Sequence, residues 1–341
     1  MNAPQLPKIS VVVPSYNQAA YLQQTLDSIL LQGYPELELI VLDGGSTDGS
    51  VEILKRYDDR LTRWVSQPDR GQTDAINRGF ALCTGEIVAW LNSDDLYFAG
   101  SLESAARALL EHTQAGMVYG DGVMVDSRGT VLDPHHYRQL SVLDLLCFNV
   151  ILQPTVFMRR QALEAVGPLD EVYNLIMDHD LWVRLAARFP IVHVPENWAI
   201  ERTHPEAKTV AQAGAFVQEA ERLIQRAAED PLLGPQCSRH RRQIAASLEA
   251  FAARRLIDAG DYAEATRRFS RSARHDVRVP LRYWYKVVQA SLGALGLSGI
   301  FLAYRRIRRK MQHGRMQVAF GEQGAVVTRT SSATRAGGES A

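Results

Sequence analysis

Two adjacent carboxylates, Asp94 and Asp95, follow the apolar run Ile87-Val88-Ala89-Trp90-Leu91 and the pair Asn92-Ser93. The run reads as a buried strand, so the pair lies at a strand's carboxyl end. Side by side, two carboxylates repel unless a cation neutralises them. Their hard oxygens favour Mg²⁺ or Mn²⁺, with coordination completed by substrate phosphates. An acidic turn is the plain alternative. Asp43 opens a second motif, Asp43-Gly44-Gly45-Ser46-Thr47-Asp48-Gly49-Ser50. Its glycines let a ligand approach the backbone, and Asp43 suits hydrogen bonds from a base or ribose. A tight turn, with Asp48 capping the next helix, also fits. Tyr16, within Pro14-Ser15-Tyr16-Asn17, offers a ring that can stack on a base, although these residues also make an ordinary turn. Arg70 precedes a helix whose free amides suit a phosphate. Asp74 and Asn77 share one face of that helix, as ligand contacts or as satisfied surface groups. Asp178 stands near another helix start, where it suits a general base or a cap, and Asp180 a cap or dipole partner. His204 ends Glu201-Arg202-Thr203-His204 as a metal or diphosphate ligand, or as a structural histidine.

These residues need a scaffold that brings them to one edge. Short β-branched or apolar runs at about 8–13, 37–42, 62–66 and 86–91 alternate with helical spacing at about 22–30, 48–57, 73–82 and 101–112. Such alternation predicts right-handed crossovers and a parallel sheet covered on both faces, with ligands at the carboxyl ends of the strands. The polar motifs at 14–17, 43–48 and 92–95 each follow a strand, as that rule requires. Short strands at 117–120, 123–125 and 130–132 predict an antiparallel meander. A strand at 154–159, a helix at 177–188 and a strand at 191–203 complete the region.

The sequence has 341 residues, with 46% apolar and 22% charged side chains, which excludes a mostly disordered chain and exceeds one typical domain. Lys and Arg total 38, as do Asp and Glu, yet residues 267–315 hold thirteen basic side chains and one acid, Asp276. An acidic body with a basic end suits metal chemistry in the first and an anionic surface for the second, or simply charged, exposed helices. Three scattered cysteines make a disulfide framework unexpected, and the first residues lack a secretory pattern. The expected location is therefore the cytoplasm. The expected domains are 1–209, a helical 210–313 and an unstructured tail at 314–341. Residues 252–276 look like a single tetratricopeptide-type hairpin packed on the main body. The apolar stretch 287–304, flanked by aromatic and basic residues, suits an interfacial helix, a packed helix or a short span. Peripheral membrane contact is thus an expectation for 280–313.

Taken in order, Val-Val-Val-Pro-Ser-Tyr-Asn (11–17), the motif at 43–50, Asp-Arg-Gly-Gln-Thr-Asp-Ala-Ile-Asn-Arg-Gly (69–79), Asn-Ser-Asp-Asp (92–95) and Asp-His-Asp-Leu-Trp-Val-Arg-Leu (178–185) resemble glycosyltransferase family 2 over residues 8–205. The resemblance implies a GT-A fold, that is, an α/β, Rossmann-like, mixed but mostly parallel sheet with helices on both faces, here followed by a C-terminal helical region. It implies transfer of a sugar from a nucleotide sugar, UDP-linked, to an acceptor hydroxyl by a metal-dependent, inverting single displacement. Tyr16 and Asp43 would hold the base, and Pro14, Asn17, Arg70 and Asp74 belong to the same nucleotide-sugar site. Asp94 would touch the ribose, and Asp95 would bind Mn²⁺ or Mg²⁺ on the diphosphate, with His204 near the metal or phosphate. Asp178 would be the catalytic base, and Gln153 lies on the acceptor side. The acceptor implied is a saccharide or lipid-linked saccharide of cell-surface polysaccharide or lipopolysaccharide synthesis, at the cytoplasmic membrane face, with no nucleic acid partner. Asn92 and Met177 depart from the family pattern, which often has acids there. A sugar-phosphate nucleotidyltransferase and a scaffold acting through the helical region are the competing classes. The first usually carries a Gly-rich basic loop after its first strand, which residues 14–17 lack.

Overall fold

The computed structural model describes residues 5–203, 213–299, 301, 303–304, 307–308 and 316–329. The chain begins β1 (Ile9–Ser15), α1 (Leu22–Leu30), β2 (Leu37–Asp43), α2 (Ser50–Arg56), β3 (Arg63–Ser66), α3 (Gln72–Phe80), β4 (Ile87–Trp90), β5 (Leu96–Tyr97) and α4 (Ser101–Glu111). It continues β6 (Met117–Asp126), β7 (Val131–His135), α5 (Val142–Leu146), a 3₁₀ turn at Gln153–Thr155, β8 (Val156–Arg159), α6 (Arg160–Val166), α7 (Met177–Arg188) and β9 (Ile191–Thr203). Helices α8 (Ala213–Glu229), α9 (Gly234–Arg239), α10 (Arg241–Asp258), α11 (Tyr262–His275), α12 (Arg278–Arg282) and α13 (Trp284–Ala294) follow. The strands β10 (Met316–Gly321) and β11 (Gly324–Arg329) come last.

The main sheet runs β3-β2-β1-β4-β8-β6-β9-β5, with β7 beside β6. Pairs among β1 to β4 are parallel, as is β6 with β9; β8 and β5 enter antiparallel. The sheet is therefore mixed, with helices on both faces. Alternation within β1 sets the two cores. Val11 and Val13 face α1 and α4, while Val12 faces α3 and the cluster around Trp90 and Trp182. A Cβ on Gly79 of α3 would collide with the side chain of Val12, so glycine there lets the helix lie close to the strand.

The structure departs from the sequence expectations in three places. The meander expected as three short strands is one ten-residue strand, β6, followed by β7 at 131–135. Its glycines do not break it. A Cβ at Gly120 would come within 2.5 Å of Trp198, and one at Gly122 within 2.5 Å of Leu152, so these positions let neighbouring chain approach β6. Residues 316–329 of the expected unstructured tail form the β10–β11 hairpin, in which Ala325 is fully buried and its carbonyl accepts from Ala99 N at 3.0 Å. The stretch 287–304 does not form one helix, since α13 ends at Ala294 and Gly296 takes a left-handed φ of 80°. Among the described residues no helix is long and apolar enough to cross a membrane.

Helix α8 and the first part of α10 are not an appendage by packing. Phe216, Ala220, Leu223, Ile244 and Phe251 belong to the same buried cluster as Trp90, Phe148 and Trp182. The α10–α11 hairpin has a smaller core of its own around Ala250, Ile257 and Phe269. All three cysteines are buried and free.

Candidate active site

Register puts Ser15 of β1 opposite Asp43 of β2, and both strands end there. Asp43 is buried and organises the loop that follows. Its Oδ2 accepts from Gly45 N (3.2 Å), Ser46 N (2.9 Å) and Ser66 Oγ (2.6 Å), and its Oδ1 from Ser46 Oγ (2.5 Å). Three internal donors thus saturate Oδ2, while Oδ1, with one donor, keeps an acceptor position. Asn17, at φ 51°, ties the loop after β1 to this one. Its Oδ1 accepts from Thr47 N at 2.9 Å, and its N donates to Ser46 Oγ at 2.8 Å. Tyr16 is 62% exposed, leaving a free ring face. A Cβ on Gly44 would sit 3.2 Å from that ring and 2.8 Å from Asp69, so Gly44 leaves the recess between them open. Pro14 lies in β1 itself, opposite Leu42. Arg70 is engaged at the surface with Asp74 (2.7 Å) and Glu171 (2.8 Å). Beside it, hydrogen bonds from Arg70 hold the Asp74 carboxyl below its usual range.

The turn after β4 is cross-braced. Asn92 accepts from Gln72 at the start of α3 (2.7 Å) and donates to Asp95 Oδ2 and to Gln153 Oε1, each at 3.3 Å. Gln153 donates to Trp90 O at 2.9 Å. The residue expected on the acceptor side therefore touches the acidic turn. Asp95 is 3% exposed, and its Oδ1 accepts from Arg202 N of β9 at 2.9 Å. Burial, then the charges of Asp94 and Glu201, push its carboxyl well above the usual range.

Asp178 sits in the first turn of α7 and accepts from His179 N at 2.7 Å. Burial pushes its carboxyl up to about 6, against the pull of that hydrogen bond and of Arg255. His179 is pushed down to about 4 by burial, and its Nε2 contacts Leu145 O at 2.9 Å, so it stays neutral. Glu201 near the end of β9 is pushed up to about 7 by burial, then by Asp94 and Asp178, while Arg255 pulls the other way. Arg202, next to Glu201, bonds Asp95 Oδ1 through its N (2.9 Å) and Asp94 O through its Nε (3.1 Å), so the end of β9 lies against the acidic turn, and Asp178 is near enough to raise the Glu201 carboxyl.

Among the described residues, no three His, Cys, Asp or Glu side chains form a self-sufficient metal cage. The donor set nevertheless fits a hard divalent cation. A buried carboxylate repelled by two neighbours is relieved by positive charge, and such a site is completed by phosphates and water. His204 lies outside the described residues. Glu201, Arg255 and Glu219 carried no assigned role in the sequence reading. Glu219 of α8 accepts from Asn174 N (3.0 Å), Leu175 N (2.9 Å) and Ile176 N (3.1 Å), and so fixes the loop leading to Asp178.

The profile of glycosyl transferase family 2 matches residues 10–167. A PGL/p-HBAD biosynthesis glycosyltransferase of Mycobacterium bovis is 34% identical over 186 residues, spanning 52% of this chain and 69% of that protein. The chain belongs to glycosyltransferase family 2. This glycosyltransferase is also 28% identical over 213 residues to an uncharacterized glycosyltransferase of Rickettsia felis, a match that covers 59% of the chain but only 35% of the longer relative. Its fold resembles residues 1–349 of S. aureus TarS (TM-score 0.59, 18% identity, 95% and 97% of the two chains). TarS has also been solved with UDP-GlcNAc. The mannosyltransferase PcManGT of Pyrobaculum calidifontis, solved with GDP-Man and Mn²⁺, superposes with a TM-score of 0.57 at 21% identity over 86% and 88% of the chains. These likenesses establish the GT-A-like fold of the glycosyltransferase. The family assignment also favours glycosyl transfer over the nucleotidyltransferase reading.

Proposed function

We propose that the protein moves a sugar from a nucleotide sugar, UDP-linked, to an acceptor hydroxyl with inversion. The observation that supports this best is the electrostatic convergence of Asp94, Asp95, Asp178 and Glu201 at the strand ends. Tyr16 stacks on the base over the recess at Gly44. Asn17 fixes that recess, and Asp43 fixes it through Oδ2 while its Oδ1 accepts from the base. Pro14, Arg70 and Asp74 border the same donor region, Asp94 meets the ribose, and Gln153 faces the acceptor. Asp95, with His204 as the second ligand the family resemblance implies, would hold Mn²⁺ or Mg²⁺, which when bound supplies positive charge for the departing diphosphate. Asp178 takes the proton from the attacking hydroxyl as that oxygen bonds to the anomeric carbon opposite the leaving group. One base suffices because no sugar–enzyme bond forms. A base of this kind contributes roughly 10²–10⁴-fold.

The acceptor we propose is a saccharide or lipid-linked saccharide of cell-surface polysaccharide or lipopolysaccharide assembly. Residues 1–209 would form the catalytic unit and 210–313 the helical one, held at the cytoplasmic face of an anionic membrane through 280–313. The surface reading rests on Leu281, Trp284 and Leu295, exposed by 62%, 64% and 74%, beside a basic stretch.

A thermal-shift screen of nucleotide sugars with and without Mn²⁺ identifies the donor, and Asp178→Asn then tests the chemistry. The variant should keep donor binding and lose transfer by at least 10²-fold. Equal turnover in variant and wild type rejects Asp178 as the base.

A further inference from the structure

Arg255 lies on α10, beyond the span of the family profile, against Phe251, whose ring stacks on Phe148 and through it on His179 beside Asp178, so its charge reaches the acidic rim. Its Cζ is 4.9 Å from the ring centroid of Phe216 on α8 and 5.2 Å from that of Phe251 on its own helix. The two rings hold the guanidinium in place without neutralising it. Its Nε is buried and has no hydrogen-bond partner. Among the described residues no carboxylate pairs with it within the 4.0 Å of an ion pair, although Asp178 and Glu201 are near enough to feel its charge. The neighbouring Arg254 and Arg268 share a buried Nε without a hydrogen-bond partner but are otherwise occupied. Arg254 lies 4.6 Å from the Tyr283 ring centroid, and Arg268 pairs with Glu249 at 3.3 Å.

A guanidinium fixed by aromatic faces, with its Nε unpartnered, is a planar fork suited to two oxygens of one anion. An anionic substrate entering a rim lined by four carboxylates meets repulsion that a fixed cation offsets. The geometry points to Arg255 as a further substrate contact, through which α10 binds a phosphate oxygen in the cleft that holds Asp178 and Glu201. This rests on the site reading given above. The phosphate belongs either to the donor's diphosphate or to a phosphorylated acceptor, and in both cases the C-terminal helices complete the site.

Wild type, Arg255→Met and Arg255→Lys are compared by calorimetric titration with UDP and with uridine in Mg²⁺ buffer. Thermal stabilisation by inorganic phosphate is then measured on each protein with UDP present. If the contact is to the donor, Arg255→Met loses about tenfold or more in UDP affinity and none for uridine, with Arg255→Lys between. If the contact is to an acceptor phosphate, UDP affinity holds and the stabilisation by inorganic phosphate disappears. Unchanged binding of UDP and of inorganic phosphate in folded Arg255→Met overturns the proposal. Should that variant not fold, Arg255→Lys decides, because it keeps the charge and loses the fork. If wild type binds no nucleoside diphosphate, the donor reading fails by itself, and dependence of inorganic-phosphate binding on Arg255 still decides this one.

Discussion

Asp178, the proposed base, is buried at the expense of stability. Its carboxyl is pushed up to about 6, chiefly by burial. The base must be ionised to accept a proton, so kcat/KM should fall as pH drops through about 6, with unit slope on the acid side. The sign of the stability effect is opposite to that of a paired carboxylate. The folded value lies above the unfolded value of about 3.9, so protonation favours the folded state, and stability is lost as pH rises from about 4 through 6. Asp178→Asn removes that cost and should raise the melting temperature at pH 7.5, corresponding to about 1–3 kcal/mol, while transfer collapses. Calorimetry of the two proteins at pH 7.5 and at pH 4 checks it, because the gain should vanish at the lower pH. Neighbouring His179 contributes no proton in this range, since burial pushes it down to about 4.

At the scale of elements, one clamp ties the amino ends of β1, β2 and β4 and a second fixes the approach to Asp178, and neither is a motif. Glu38 of β2 accepts from Ser10 of β1, from Thr84 N at 2.7 Å and Thr84 Oγ1 at 2.8 Å, and from Lys8 at 3.1 Å. Burial by itself would raise its carboxyl; these hydrogen bonds reverse that and lower it to about 2. Its stabilisation is complete above about pH 4.5 and is lost as pH falls through 2. Glu38→Gln should cost about 1–3 kcal/mol at pH 7 and flatten the stability curve between pH 4.5 and 2, as urea titrations across that range would read out. Glu219 clamps residues 174–176 from α8. Glu219→Ala should lower kcat about tenfold or more, with UDP affinity unchanged, because it loosens the approach to Asp178 and not the donor recess. The strands β1 and β4 and the helix α7 were legible because local apolar spacing matches their burial. The ligand-side polar motifs were legible because they directly follow strands. The β6 strand was not, since Gly120 and Gly122 read locally as breaks and are explained only by Trp198 and Leu152 across the fold. Glu219 and Arg255 were equally hidden. Each acts on residues dozens of positions away, and nothing in its own neighbourhood marks it.

At the scale of the molecule, the C-terminal helices α8 and α10 share a buried core with the sheet. Phe251 of α10 stacks on Phe148 with centroids 4.7 Å apart, and Phe148 stacks on His179 at 5.5 Å, next to Asp178. Phe216, Leu223 and Ile244 fill the same cluster, so removing the helices would bare the apolar face under the catalytic rim. A chain ending at Thr203 should therefore lack the fixed aromatic environment seen by near-ultraviolet circular dichroism, and not retain donor hydrolysis as a detachable docking region would allow. The same coupling predicts how the full chain melts. The sheet and α8–α10 should unfold together, and Phe251→Ala should destabilise that whole unit by about 3–5 kcal/mol, because the cavity opens in the shared core. Scanning calorimetry should show the main transition moving down as one peak in Phe251→Ala. A helical transition that splits away while the sheet melts at the wild-type temperature would show that the two halves are independent, and the role given to α10 in the site would then have no structural support.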